Sequence, residues 1–284
     1  MRLHTRALLC VVTSVAVLGL CARDAGAVQI TALRVPEEVR NGSESGAILD
    51  CEYTLKQSEL APDSGLVVKW FWNNSPAPVY QWIPGQRPQD LGVLKGRLKL
   101  DYKASTHPST MHRALYITNP TIELSGEYKC FVSTFTDEDF MIKKMVVYAP
   151  ERKVDLGHSK HDLHNVNITC RALGLYPEPK MTIHKGTDLK TLQEMDGVSV
   201  RTMPREESYD VTASVLLSDS ELRGSLVVNC EVWIPSTTYR RHKTLHYYPG
   251  RALPWIGEED SGGSVIRNTG LALLISLLGS LLLC

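Results

Sequence analysis

Three histidines, His158, His161 and His164, recur at every third residue in the stretch HSKHDLH. On a helix that spacing would bring imidazoles toward one face, a donor set suited to zinc and to hydrolysis by a metal-bound water. In an extended chain a step of three alternates faces, so the rings cannot converge, and a solvated strand edge accounts for them. The basic run RRHK at Arg240–Lys243 has the charge to take an acidic glycan or an anionic headgroup. It equally suits an edge strand that resists pairing with another edge. Neither a G-x-S-x-G elbow nor an H-E-x-x-H pair occurs, and no Gly-rich phosphate loop is present. The reading is therefore a non-enzyme with no cofactor and no metal. A metal-dependent enzyme built on the histidine cluster is the alternative from another class.

The cysteines pose a sharper question, because the chain has seven of them. Cys10 and Cys21 fall in an N-terminal segment where Arg2 and Arg6 precede an apolar run, Ala7–Leu20, and the small residues Ala25–Ala27. That is the pattern of a secretory signal peptide, residues 1–27, removed ahead of Val28. Cys284 ends an apolar tail, Gly270–Cys284, of 15 residues, whereas a spanning helix needs roughly 20. Upstream stand the small residues of EEDSGGS and a polar spacer, and no basic residue follows the tail. This order predicts a glycosylphosphatidylinositol anchor, with lipid joined at Ser261 and residues 262–284 discarded. Residues 251–261 then form a stalk, and the protein sits on the outer face of the plasma membrane. A secreted form and a single-pass membrane form are the alternatives.

Processing leaves Cys51, Cys130, Cys170 and Cys230, an even set in an oxidising compartment, which implies disulfides. Sequons at Asn41 (NGS), Asn73 (NNS) and Asn167 (NIT) agree with export. The span Val28–Ser261 is long enough for two domains of about 100 residues each. With 31 basic and 31 acidic side chains the net charge is zero, so no global basic field invites nucleic acid.

Short alternating apolar runs, separated by Pro, Gly, Asn and Ser, must position these residues, and they predict an all-β chain. In the first half they fall near Ile30–Val35, Ala47–Tyr53, Leu66–Trp72, Val79–Ile83, Arg97–Tyr102, Arg113–Thr118, Glu127–Phe135 and Met141–Tyr148. APERK, residues 149–153, breaks the pattern as a linker between domains at 28–149 and 150–250. In the second half YDVTASVLL alternates apolar Tyr209, Val211, Ala213, Val215 and Leu217 with mostly polar residues. SLVVNCEVW does the same through Leu226, Val228, Cys230 and Val232.

Trp70 lies between Cys51 and Cys130, and Tyr128 stands two residues before Cys130. Cys…Trp…Tyr-x-Cys, in that order, is the signature of an immunoglobulin sandwich: a disulfide between sheets, an indole packed on it, and a tyrosine that ties a corner. The fold class is therefore two tandem immunoglobulin-like β-sandwiches, with Cys51 joined to Cys130 and Cys170 to Cys230. The longer first spacing and the extra strand at Val79–Ile83 make the first domain variable-type. The second resembles a constant-type domain in CRALGLYPEPKMTIHK, with Ile183 at the tryptophan position and Val228 at the tyrosine corner.

VVKWFW, PVYQWIP, SGEYKCFVS and DEDFMIKK together resemble the arthropod beaten path family over roughly Leu33–Tyr148. Leu124 stands where many variable domains carry an acidic residue. The resemblance implies a neuronal cell-surface or secreted recognition protein in axon guidance, whose partner is a sidestep-like immunoglobulin receptor on a neighbouring cell. A secreted or shed immune-recognition protein is the alternative.

Strand parity offers a surface for such a partner. If Val68, Trp70, Tyr128 and Cys130 point inward, then Lys69, Phe71, Lys129 and Phe131 point outward. Tyr80 or Trp82 on the neighbouring strand is expected to join them. Aromatics with a few charges are the composition of a binding hot spot. Cover by the second domain, a loop or a glycan is the competing account.

Overall fold

The computed structural model describes residues 28–249, apart from residues 163, 219–221 and 223. The expected signal, stalk and lipid site at Ser261 lie outside them. The first sandwich is built from β1 (Val28–Arg34), β2 (Glu38–Arg40), β3 (Ala47–Leu55), β4 (Val67–Trp72), β5 (Tyr80–Trp82), β6 (Gln89–Asp90), β7 (Leu115–Ile117), β8 (Gly126–Ser133) and β9 (Glu138–Tyr148). One sheet has the order β1-β3-β7, the other β2-β9-β8-β4-β5-β6. The short β2 runs parallel to β9, and all other pairings in this domain are antiparallel.

The alternation read from the sequence positions the core. Along β4 Val68 and Trp70 are fully buried, and along β8 so are Tyr128, Cys130 and Val132. Trp70 sits opposite Cys130 in the register, and its indole N–H donates to the Arg113 carbonyl at 3.2 Å. Cys51 and Cys130 are bonded across the two sheets, 79 residues apart. The Tyr128 hydroxyl donates to the Leu124 carbonyl at 2.8 Å, which ties the corner into β8. Leu124 itself is buried, and the acidic role passes to its neighbour: Glu123 accepts from Arg97 at 2.8 Å.

One expected strand is largely absent. Arg97–Tyr102 reduces to a single bridge, Leu98 to Ile117, with bonds from Lys99 N to Tyr116 O and Thr118 N to Arg97 O, each 2.9 Å. Tyr102 N turns back onto the Lys99 carbonyl at 3.1 Å, so the chain leaves the sheet there.

The second sandwich comprises β10 (Lys153–Lys160), β11 (Asn165–Leu175), β12 (Lys180–Gly186), β13 (Gln193–Glu194), β14 (Ser199–Pro204), β15 (Tyr209–Ser218), β16 (Leu226–Trp233) and β17 (Arg240–Tyr247). Its sheets run β10-β11-β15-β14 and β13-β12-β16-β17. The first matches the four-stranded sheet of a constant-type domain, and the second adds a two-residue strand to the three-stranded one. Cys170 and Cys230, 60 residues apart, bridge them. Ile183 lies opposite Cys230 and is fully buried, as is Val228. Aliphatic side chains thus fill the places of the usual tryptophan and tyrosine.

The joint between the sandwiches is more than a linker. Ala149 and Tyr176 exchange backbone hydrogen bonds of 2.9 and 3.0 Å. Glu38 of the first domain accepts both the backbone N–H (2.6 Å) and the hydroxyl of Thr238. Tyr148 packs on Tyr239 with ring centroids 5.6 Å apart. Glu151 accepts from the Tyr239 hydroxyl and pairs with Arg241 at 3.3 Å. Burial and the neighbouring carboxylate push the Tyr239 phenol up, so it stays a neutral donor. Combining Glu38→Ala with Tyr239→Ala is expected to leave both sandwiches folded but broaden the spread of interdomain distances in small-angle X-ray scattering. An unchanged scattering curve would assign the joint to its backbone bonds alone.

Candidate functional site

Register decides which side chains of the larger first-domain sheet face solvent, because residues directly opposite in an antiparallel pair share a face. Lys69 lies opposite Phe131 and Phe71 opposite Lys129. All four are half-buried; Lys69, Lys129 and Phe131 each lie between fully buried neighbours, and Phe71 follows the fully buried Trp70. The Phe71 and Phe131 rings meet edge to face, centroids 6.4 Å apart at 87°. The Lys129 ammonium stands 4.7 Å from the Phe71 centroid and 5.7 Å from that of Phe140. That geometry lets the ring quadrupoles attract the cation.

Tyr80 and Trp82 do not belong to this face. The register sets Tyr80 against Trp70 and Trp82 against Val68, and both are 2% exposed. Gln81, opposite Lys69, is the residue that points outward. The Tyr80 hydroxyl donates to the His112 carbonyl at 2.7 Å, and burial pushes its phenol well up. Trp82 packs on the His112 ring at 5.7 Å. Both are core residues.

Strand β9 supplies what the parity reading lacked. Phe140 lies opposite Phe131 and Ile142 opposite Lys129, and they are 56% and 50% exposed. At the turn between β8 and β9, Phe135 is 81% exposed. Its ring lies across Gly65, where a Cβ would come within 2.6 Å of it and where φ is +74°. The chain contains only four phenylalanines, and all four are on this sheet face or its hairpin turn. Phenylalanine is among the residues most often buried, yet none is in either core. The sequence signal was DEDFMIKK, whose outward side chains cannot be assigned to this face until the register against β8 is known.

The turn is held in place. Phe135 N donates to the Ser64 carbonyl at 2.9 Å, and the Thr136 hydroxyl donates to Glu59, itself buried, at 2.5 Å. Phe135 is therefore presented by a fastened loop.

The remaining expected sites are dispersed. Asn41 is exposed beside the domain joint, its backbone N–H bonded to the Tyr148 carbonyl. Asn73 is exposed at the far end of β4 from the Phe135 turn, and its side-chain oxygen accepts from Glu127 N at 2.9 Å. Asn167 is half-buried on the second domain, opposite Leu216, which is 52% exposed. His158 packs on Tyr247 at 5.0 Å, while His161 and His164 sit in the turn after β10. Among the described residues no group of three His, Cys, Asp or Glu could hold a metal ion. Arg240 and Arg241 begin β17, an edge strand, and are paired with Glu231 at 2.6 Å and Glu151 at 3.3 Å.

Two disulfide-bridged sandwiches with these strand orders define a tandem immunoglobulin-domain protein. The chain is similar in structure to bovine butyrophilin, at 19% identity and a TM-score of 0.61, over 78% of this chain and 99% of that one. It is also similar to the Ig1–Ig3 ectodomain of mouse nectin-like molecule 4, at 13% identity and a TM-score of 0.47, over 75% of this chain and 65% of that one. At 19% identity the likeness to butyrophilin is one of fold. No protein-family model matches the chain, and no curated protein matches it. Among the described residues no helix is long and apolar enough to cross a membrane.

Proposed function

We propose that the chain is a cell-surface recognition protein that docks another protein on the phenylalanine face of its first domain. The observation that carries this reading is the placement of all four phenylalanines outside the cores, on one sheet face and its hairpin turn, with Phe71 and Phe140 against Lys129. A partner that covers this aromatic cluster gives it the burial it lacks in the free protein. The face lies toward the end of the sandwich opposite Tyr148, where the second domain joins. A lipid anchor at Ser261 would therefore hold it away from the membrane. Glycans at Asn41 and Asn167 would leave it open, and one at Asn73 would border it.

The charge at its centre narrows the partner. Lys129 makes cation–π contacts but no ion pair among the described residues. A two-fold contact between copies, centred here, would bring two Lys129 ammoniums together, since an isologous interface sets the same patch against itself. The partner is accordingly a different protein, one that sets a carboxylate among apolar side chains. The first-domain motifs that resemble beaten path proteins make sidestep-like immunoglobulin receptors the first to test, and axon guidance the setting.

The test is a binding screen of the ectodomain against surface proteins of the same organism, followed by variants on whichever partner binds. Phe131→Ala or Phe140→Ala is expected to weaken binding about thirtyfold, the equivalent of about 2 kcal/mol. Lys129→Glu is expected to abolish it. Variants that fold normally and bind with unchanged affinity would move the site to another surface. Release of the protein from cells by a phosphatidylinositol-specific phospholipase checks the anchor separately.

A further inference from the structure

Strand β1 starts at Val28, and two of its backbone N–H groups point away from β3. Val28 N donates to Asp137 Oδ2 at 3.0 Å, and Ile30 N donates to Asp139 Oδ2 at 2.8 Å. Both carboxylates belong to the hairpin that carries Phe135 and Phe140. Two alternate residues of β1 thus meet Asp137, in the turn, and Asp139, in β9, with side-chain oxygens in place of a backbone ladder. The Val28 side chain is 3% exposed, so this nitrogen is fixed in space by burial of its own residue.

Val28 is also the residue that the sequence places first in the processed chain. Hydrolysis of the Ala27–Val28 bond by a signal peptidase takes up one water. It leaves a carboxylate on Ala27 and an amine on Val28. A free α-amine has a pKa of about 7.7–8.0, so it carries a proton at neutral pH. We propose that this cleavage completes the first domain: the new ammonium of Val28 pairs with Asp137 and fastens the docking hairpin to β1. The inference rests on residues 1–27 being a cleaved signal and does not depend on what the hairpin binds. A hydrogen bond from a neutral amide to the carboxylate becomes, at the same position, a hydrogen-bonded pair of two full charges. A chain cut elsewhere keeps only the amide and carries its charge a residue or more away.

Protein made in eukaryotic cells from the full-length sequence and purified from them provides the test. Mass spectrometry of the N-terminal peptide is expected to begin at Val28, and any other start overturns the proposal. Inserting Gly-Ser between Ala27 and Val28 moves the ammonium while keeping the Val28 N–H. This insertion is expected to lower the melting temperature of the first domain by about 4 °C. The same insertion combined with D137N is expected to cost nothing beyond D137N alone. A second readout needs no change at Asp137. The pairing raises the pKa of the amine in the folded state, so its stabilisation is full below about pH 7.7 and is lost as pH rises through the higher folded value. The normal terminus should therefore lose stability above pH 8 and the extended one should not. An insertion that costs nothing, one that costs the same with and without D137N, or identical pH profiles would each refute the ion pair.

Discussion

Replacing Cys170 and Cys230 together by alanine is expected to leave the second domain unfolded at 37 °C. The same change at Cys51 and Cys130 is expected to leave the first domain folded, though less stable. Loop length does not separate the two bridges. Closing 79 residues rather than 60 changes the chain-entropy term by only about 0.2 kcal/mol out of a typical 2–5 kcal/mol. The cores differ far more. Among the described residues five aromatic side chains, Tyr53, Trp70, Tyr80, Trp82 and Tyr128, belong to the first core, and Tyr247 alone belongs to the second. Aromatic residues bury the largest areas of any side chain. With Ile183 and Val228 in the usual aromatic places, the second domain has less apolar burial to offset the freed chain. Thermal melts of the two double variants, followed by circular dichroism, check the order. A first domain that unfolds while the second survives would reverse it.

Trp70→Ala is expected to unfold the first domain, at a cost of about 3–5 kcal/mol, because a fully buried indole against the disulfide leaves a cavity the sheets cannot close. Phe71→Ala, one residue along β4, is expected to shift the melting temperature far less, since that ring lies on the half-exposed face. The comparison tests the assignment of faces directly. If Phe71→Ala melted as early as Trp70→Ala, the ring would belong to the packed interior. The docking face would then shrink to Phe135, Phe140 and Ile142.

Much of this was legible in the chain. The order Cys51, Trp70, Tyr128, Cys130 fixes two sheets, a bridge and a corner, because each residue type has a role there that few others can fill. Alternation then assigns Lys69 and Phe71 to one side of β4, and Lys129 and Phe131 to one side of β8. That inference is local: within a single strand the period of two leaves no freedom.

Parity could not carry across a turn. Tyr80 and Trp82 were expected on the outside, and the structure buries them. The reason is that the chain between Trp72 and Val79 sets the register of β5, and a slip of one residue exchanges its two faces. Two left-handed asparagines, Asn73 (φ 47°) and Asn74 (φ 56°), shape that turn, and their conformation is not written in the alternation. The same limit hid Phe140 and Ile142, which join the face only through the pairing of β9 with β8. Sequence alone determined the fold class, the cysteine partners and which side chains share a strand face. Tertiary structure alone decided which strands lie side by side and in what register, since those depend on turn geometry and on burial summed over residues distant in the chain. It also set Val28 against Asp137, 109 residues away, a contact that no local period encodes.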